Sequence, residues 1–178
     1  MNVQAPQAVV VMGVAGSGKT TIATLLAARI GGDFVDADDL HPAENVAKMA
    51  TGTPLTDDDR WPWLAEVGTV IREHLAAGRP VVVACSALRR LYREAIIASA
   101  GAPVRFAHLD RSYELIAARM AARAGHFMPT GLLDSQFATL EPLEPDEPGF
   151  AVAIDGSPDA TAEAIAFRLD DARKASPA

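Results

Sequence analysis

The chain has 178 residues, of which 49% are apolar, and it carries a formal net charge of −7. This length predicts one domain, and the acidic balance argues against a protein built to coat nucleic acid, so no nucleic-acid partner is expected. No apolar run approaches a membrane span and no signal-peptide pattern is present, so no membrane partner is expected either. The single cysteine, Cys85, excludes an internal disulfide and favours a cytoplasmic location.

Apolar runs typical of strands alternate with helical patterns along the whole chain. The predicted strands are Ala8–Met12, Phe34–Asp36, Pro80–Cys85, Val104–Leu109 and Phe150–Ile154. Helical patterns lie near residues 19–30, 43–50, 60–77, 88–99, 112–124, 132–140 and 159–174. The alternation predicts an α/β layered fold with right-handed crossovers. Every strand except the second is nearly all apolar, which is typical of parallel strands covered on both faces. Ligands of such sheets bind beyond the carboxyl ends of the strands, so the residues that follow each strand are the candidates for function.

A glycine-rich loop, Gly13-Val14-Ala15-Gly16-Ser17-Gly18-Lys19-Thr20, follows the first strand and precedes a helical pattern. In that context the pattern G-x-x-x-x-G-K-[ST] predicts a phosphate-binding loop rather than a plain glycine turn. Glycines let the backbone approach the phosphates closely, and the helix N-terminus adds N–H donors. Lys19 is expected to reach the β- and γ-phosphates, and the Thr20 hydroxyl to ligate Mg²⁺. The residues predicted to hold a nucleotide here are Gly13, Ala15, Gly16, Ser17, Gly18, Lys19, Thr20 and Thr21.

Three aspartates, Asp36, Asp38 and Asp39, follow the second strand. Carboxylates at this place, facing a phosphate loop, suit two tasks: holding Mg²⁺ through water and accepting a proton from an attacking hydroxyl. The alternative is an Asp-rich turn that caps a helix. Function is favoured for Asp38 and Asp36, and the two interpretations are even for Asp39.

Cations in the middle of the chain are candidate anion clamps. Lys48 and Arg60 suit a carboxylate or phosphate, although their spacing alone favours solvated helix charges. After the third strand, Ser86 leaves room at the strand end or serves as an N-cap. Three arginines follow within the first turns of a helix, where the helix dipole disfavours cations, and this placement hints at an anionic ligand. They are Arg89, Arg90 and Arg93.

A basic helix face follows the fourth strand. Arg119 and Arg123 are four residues apart and therefore share one face, which predicts contact with a polyphosphate. Gly125 and Pro129 bracket a short segment that is suited to a moving lid. His126 is either a lid contact or a packed histidine.

Together these motifs resemble the P-loop gluconokinases, the thermoresistant gluconokinase family, which are relatives of shikimate kinase and adenylate kinase. The segments specific to that family are Leu40-His41-Pro42 and Asp59-Arg60 with Pro62-Trp63-Leu64. The other matching segments, which bring the resemblance to most of the chain, are the phosphate loop, Asp36–Asp39, Asn45, Lys48-Met49, Gly52–Leu55, Asp57-Asp58, Cys85–Leu88, Tyr92-Arg93, Gly125–Phe127 and Ser135–Phe137.

The resemblance implies ATP-dependent, Mg²⁺-assisted phosphorylation of D-gluconate to 6-phospho-D-gluconate. It also implies a parallel sheet of strand order 2-3-1-4-5 with helices on both faces, and a homodimer. Residues 1–178 would form one kinase domain with a substrate-binding segment near 38–65 and a lid near 119–140. Carried over, the catalytic residues are Lys19, Asp38 and Arg123. Arg119 and Arg123 contact the nucleotide, and Thr20 and Asp36 serve the metal. The substrate-binding residues are Asp38, His41, Lys48, Arg60, Ser86, Arg93 and His126.

Two other functions remain open from the residues alone. One is a related small-molecule kinase that acts on shikimate, another sugar acid or a nucleotide. The other is a nucleotide-binding module without catalysis, against which stands the presence of Lys19, Thr20, Asp36 and Asp38.

Overall fold

A computed structural model of the chain describes residues 7–122 and 130–174. Its strands are β1 (Ala8–Met12), β2 (Asp33–Asp36), β3 (Val81–Ala84), β4 (Val104–Asp110) and β5 (Gly149–Ala153). Its helices are α1 (Lys19–Ile30), α2 (Ala43–Ala50), α3 (Asp57–Ala76), α4 (Arg90–Ala100), α5 (Tyr113–Ala122), α6 (Thr130–Thr139) and α7 (Pro158–Lys174), with a 3₁₀ turn at Ala37–Leu40.

The five strands form one parallel sheet in the order β2-β3-β1-β4-β5. This architecture confirms the α/β fold and the strand order that the resemblance implies. Because β1 lies at the centre, the phosphate loop that follows it leaves the middle of the carboxyl edge. The order changes direction at β1, and a crevice for ligands forms at such a point.

Side chains of the central strands alternate between two apolar layers. One face of the sheet packs on α3 and α4 through residues such as Val10, Leu64 and Ile96. The opposite face packs on α1 and α7 through residues such as Leu26 and Ile165. A smaller third cluster packs α5 and α6 against the phosphate loop, and its buried members are Val14, Leu88, Ile116 and Leu133.

Two details of the predicted elements are wrong. The fifth strand was expected to be covered on both faces, but within β5 only Val152 is buried. The long helix near residue 60 begins earlier, at Asp57, because Thr56 and Asp59 form a reciprocal capping box there.

None of the helices within the described ranges is long and apolar enough to cross a membrane.

Candidate active site

The phosphate loop connects β1 to α1 and offers backbone N–H groups as its donors. Gly16 and Gly18 adopt φ values of 77° and 93°, a left-handed conformation that residues with a Cβ adopt rarely. Gly18 is also the N-cap of α1 and supplies no side-chain cap to the helix. The first N–H groups of α1 are therefore not occupied by a capping side chain. The loop has the shape and donors that a polyphosphate requires.

Asp36 joins the phosphate loop to the 3₁₀ turn. The Thr20 hydroxyl donates to Asp36 Oδ2 at 3.2 Å, and the backbone N–H of Asp38 donates to Asp36 Oδ1 at 3.1 Å. A hydroxyl beside a carboxylate is a set of oxygen ligands that suits Mg²⁺, which binds through one or two carboxylates together with phosphate and water. Thr20 and Asp36 are thus placed together, as their predicted role requires.

Lys19 and Asp38 share a cavity of about 280 Å³ at the carboxyl edge of the sheet. It is lined by Ala15, Gly16, Gly18, Lys19, Thr20, Thr21, Asp36, Asp38, Ala84, Cys85, Ser86 and Gln136. The structure therefore brings the predicted base, the lysine predicted to bind phosphate and the predicted metal ligands into one cavity. Ser86 lies there too and is not an N-cap, because α4 begins at Arg90 with Arg89 as its cap residue.

The two principal charges of this cavity are shifted toward neutrality. Burial lowers the pKa of Lys19, against the opposing attraction of the Asp38 carboxylate. Asp38 remains open to solvent at the cavity mouth, yet desolvation raises the pKa of its carboxyl, and the Asp36 carboxylate raises it further. A carboxylate with a raised pKa accepts a proton more readily than an ordinary one does.

His41 forms part of a rigid wall beside Asp38. Its ring stacks on Trp63 with centroids 4.2 Å apart, and Trp63 Nε1 donates to the Ala37 carbonyl at 2.6 Å. Burial lowers the pKa of His41, which favours the neutral ring. The buried Asn45 amide lies 3.3 Å from His41 Nδ1. Because the amide nitrogen is a donor, Nδ1 accepts and the neutral ring carries its proton on Nε2.

Lys48 and Arg60, the two cations predicted to bind the substrate near α2 and α3, differ in how closely protein carboxylates contact them. Lys48 Nζ lies 2.6 Å from Asp59 Oδ2, and this contact, together with hydrogen bonds from Thr56, lowers the pKa of Asp59 to about 2. Arg60 lies 3.6 Å from the nearest oxygen of Asp57, and its Nη1 donates to the Tyr92 hydroxyl at 3.4 Å. Arg60 is therefore the more available of the two for an external anion.

Arg93 is committed to the protein interior, and we correct the expectation that it binds substrate. The residue is only 1% exposed, and its Nε and Nη2 donate to the two oxygens of Glu147 at 2.6 and 2.8 Å. Nη1 donates to the carbonyls of Ala87 and Glu141, both at 3.1 Å. These contacts give Arg93 a structural role: it holds the loop after β3 against the chain that follows α6.

The cluster of arginines at the start of α4 does not need a ligand. Arg89 Nη1 donates to Asp57 Oδ2 at 2.7 Å, and Arg90 donates to Asp146 and Glu94. A carboxylate oxygen of Glu141 also accepts the backbone N–H of Arg90 at 2.7 Å. Protein carboxylates thus offset the unfavourable helix dipole, so the placement of these three arginines does not by itself indicate an anionic ligand.

A second cavity, of about 290 Å³, lies on the other side of the phosphate loop. Arg119 and Met120 of α5 face the turn after β5 across it, where Gly156 and Pro158 contribute to the lining. Arg119 Nη2 also lies 3.5 Å from the Ile154 carbonyl. The cavity adjoins Gly16 and Thr21, so it is placed for the nucleoside end of a bound nucleotide. Arg123 and His126 lie outside the described residues.

Sequence reasoning missed the contact made by Gln136. Its Oε1 accepts the Ala15 N–H of the phosphate loop at 2.5 Å. Only the resemblance of Ser135–Phe137 to a family segment pointed to this residue, and it assigned no role. Tyr92 was likewise named only within a family segment and given no role: it is buried and donates to Asp57 Oδ1 at 2.5 Å beside Arg60.

Comparison with known proteins agrees with the fold. The family described as AAA domain matches residues 9–143. Gluconokinase of Gluconobacter oxydans is 49% identical over 168 residues, which cover 93% of this chain and 94% of the relative. The crystal structure of a gluconokinase from Sinorhizobium meliloti has a TM-score of 0.83 and 43% identity, covering 98% of this chain and 99% of that one. A sugar kinase from a Janibacter species has a TM-score of 0.84 and 45% identity, covering 97% and 99%.

The central β1, the phosphate loop and the carboxylates after β2 define a P-loop kinase. The close relatives narrow the class further. With 49% and 43% identity over nearly the whole chain to two gluconokinases, the chain belongs to the gluconokinase family. This confirms the resemblance that the motifs indicated.

Proposed function

We propose that this chain catalyses the ATP-dependent phosphorylation of D-gluconate to 6-phospho-D-gluconate. The observation that carries the proposal is that one cavity beside the phosphate loop is lined by Lys19, Thr20, Asp36 and Asp38. In this cavity a loop suited to the phosphates of a nucleotide lies beside Asp38, a carboxylate with a raised pKa. Membership of the gluconokinase family supports D-gluconate as the acceptor.

In this mechanism Asp38 orients the primary hydroxyl of gluconate and takes its proton as the oxygen attacks the γ-phosphorus. When bound, ATP with Mg²⁺ supplies the phosphoryl group, and the bond to the β,γ-bridging oxygen breaks as ADP leaves. The loop N–H groups and the Lys19 ammonium hold the phosphates in line with the acceptor. Thr20 and Asp36 are the residues that would hold Mg²⁺, which would neutralise charge on the phosphates.

Arg60 is proposed to bind the gluconate carboxylate, because an arginine matches a carboxylate with two parallel hydrogen bonds. The cation lies over the Tyr92 ring, 5.5 Å from its centroid, which fixes its position. His41 lies close enough for the charge of Arg60 to act on its pKa. We assign to Lys48 the supporting task of holding Asp59 in the cap of α3.

An ADP-release assay with a panel of acceptors tests the function. We expect turnover with D-gluconate, and none with shikimate, a nucleoside monophosphate or the uncharged sugar glucose. Asp38→Asn is the matched control, since it keeps the shape of the side chain and loses the base. Turnover with shikimate but none with gluconate would overturn the assignment, and tight ATP binding without transfer to any acceptor would indicate a module without catalysis.

The remaining expectations are proposals as well. We propose one kinase domain with a substrate-binding segment near 38–65 and a lid near 119–140, in which Arg119, Arg123 and His126 contact ligands. We also propose a cytoplasmic homodimer. Val46 and Met49 of α2, which are 51% and 42% exposed, are apolar side chains of the kind that a partner subunit covers. Light scattering during size-exclusion chromatography measures the mass, and a monomer at micromolar concentration would contradict the dimer.

A further inference from the structure

Gln136 contacts the phosphate loop from a helix that the mechanism has not used. Its Oε1 accepts the Ala15 N–H at 2.5 Å. The helix, α6, is held at this distance by apolar packing, since Leu133 is 2% exposed and clusters with Val14 of the loop. Phe137 packs against the same cluster. Gln136 is therefore held in position by the apolar packing of α5, α6 and the loop.

The contact lies at the end of the loop where phosphoryl transfer takes place. Gln136 lines the cavity that contains Lys19, Asp36 and Asp38, and it is not among the residues that line the cavity with Arg119. Ala15 also follows Val14, whose carbonyl accepts from Lys19 Nζ at 3.0 Å. A P-loop lysine reaches the β- and γ-phosphates, so its neighbourhood is that of the terminal phosphate.

The chemistry of the amide defines what Gln136 offers to this cavity. An amide side chain has one carbonyl oxygen and an NH₂ group with two donors. Because the Ala15 N–H is a donor, the Gln136 oxygen must face it. Within residues 7–122 and 130–174 no group accepts a hydrogen bond from Gln136 Nε2. The contact of Gln136 Oε1 with the Ala15 N–H thus holds the uncharged Nε2 donor beside the site of phosphoryl transfer.

We propose that Gln136 is a catalytic residue whose Nε2 donates to an oxygen of the transferring γ-phosphoryl group while Oε1 retains the Ala15 N–H. The inference rests on the proposed kinase function. Preorganised donors at the position where charge develops are a large source of rate enhancement. Gln136 adds such a donor without adding a charge and comes from a helix distant in sequence from the loop.

Gln136→Glu is the sharpest variant for this proposal. A carboxylate still accepts the Ala15 N–H, so the contact that holds the loop survives. The same carboxylate has no donor for the γ-phosphoryl group and repels its charge. The neutral variant Gln136→Ala separates loss of the donor from this repulsion: a residue that only held the loop would weaken both nucleotides alike in Gln136→Ala, whereas a residue that contacts the γ-phosphoryl group would weaken the triphosphate more in both variants.

The experiment compares two nucleotides by isothermal titration calorimetry in the presence of Mg²⁺: ADP, and the non-hydrolysable ATP analogue AMPPNP. Only AMPPNP carries a γ-phosphoryl group. In Gln136→Glu we expect the Kd of AMPPNP to rise about tenfold or more while that of ADP stays within about twofold. With gluconate we expect kcat to fall about tenfold in Gln136→Ala and about a hundredfold in Gln136→Glu. Ser135→Ala, an exposed neighbour on α6, is the matched control and should behave as the wild type.

Two results would overturn the proposal. An unchanged ratio of AMPPNP to ADP affinity in Gln136→Glu would mean that the residue only supports the loop. Tighter binding of both nucleotides to Gln136→Ala would mean that the side chain competes with phosphate for the Ala15 N–H. The binding data stand apart from the proposed function: if the wild type fails to phosphorylate gluconate, the acceptor assignment fails, and the comparison of the two nucleotides still decides the role of Gln136.

Discussion

The phosphate loop and the acceptor wall, formed by α2, the start of α3 and the start of α4, lie beside each other and are built in different ways. The loop is made within eight consecutive residues, Gly13–Thr20, and acts mainly through its backbone. The wall is held by side-chain pairs between distant segments, such as Asp57 with Arg89 and Asp59 with Lys48. The sequence of the loop is therefore sufficient to recognise it. The structure of the wall depends on which charged side chains pair after the chain has folded.

The cations of the two regions show what this difference means for function. Lys19 donates to the Val14 carbonyl and, among the described residues, forms no ion pair with a carboxylate. In the acceptor region Arg93 and Lys48 are already paired with carboxylates at 2.6 Å, and Arg60 is the one with a longer contact. A cation near an active site is thus a ligand candidate only after its protein partners are known.

The largest effect is expected for Arg93→Met, a change that tests whether this cation supports the fold. Removing Arg93 leaves Glu147, whose side chain is 5% exposed, without its partner. Loss of one partner of a buried pair costs about 3–5 kcal/mol of unfolding free energy. Chemical denaturation measures this loss, and Arg90→Met, at a side chain that is 40% exposed, is the control with a much smaller expected loss. Stability near that of the wild type, together with a raised KM for gluconate, would return Arg93 to the acceptor site.

Lys19→Met tests the loop side of the comparison. We expect kcat to fall by roughly 10²–10³-fold, because the variant lacks the charge that stabilises the transferring phosphoryl group. The free energy of unfolding should stay the same or rise, since burial lowers the pKa of Lys19 and so disfavours its charged form in the folded protein. Steady-state kinetics and thermal unfolding check both parts. A loss of turnover below about tenfold would contradict the assigned role.

Asp38→Asn tests the junction between the two regions, with an expected loss of about a hundredfold in kcat. The base acts when deprotonated, so the wild-type rate falls as the pH drops through the pKa of Asp38. Because desolvation raises that pKa, this acid limb lies above pH 3.8, the ordinary value for aspartate. The pH profile of kcat/KM should show the limb in the wild type and lack it in the variant. A limb that persists in Asp38→Asn would place the base elsewhere.

The smallest effect separates the two acceptor cations. Arg60→Met should raise the KM for gluconate about tenfold and leave the KM for ATP unchanged, because the substrate carboxylate loses a charged hydrogen bond. Lys48→Met should raise the KM for gluconate less, since Lys48 already forms an ion pair with Asp59. Kinetics with gluconate as the varied substrate give both values. A larger effect at Lys48 than at Arg60 would reverse the assignment of the carboxylate site.

Much of the molecule followed from the sequence by itself. Patterns that span only a few residues were sufficient to predict the glycine loop with its strand and helix, the apolar strands and the carboxylates after β2. The P-loop class follows from the same local patterns. The family segments added the strand order and the gluconokinase family. The bounds of β1, α1 and α2 agree with the predicted patterns for the same reason.

Only the tertiary structure decided the partners of the charged and polar side chains. The spacing of Arg93 in α4 does not reveal Glu147, and no local pattern places the Gln136 amide on the Ala15 N–H. The partial exposure of β5 was equally invisible, because an edge strand can be as apolar as a central one. Periodicity and turn chemistry act over one or two turns of chain. Hydrogen-bond partners and burial depend instead on segments that packing brings together from far along the chain, as in the 54-residue separation of Arg93 and Glu147.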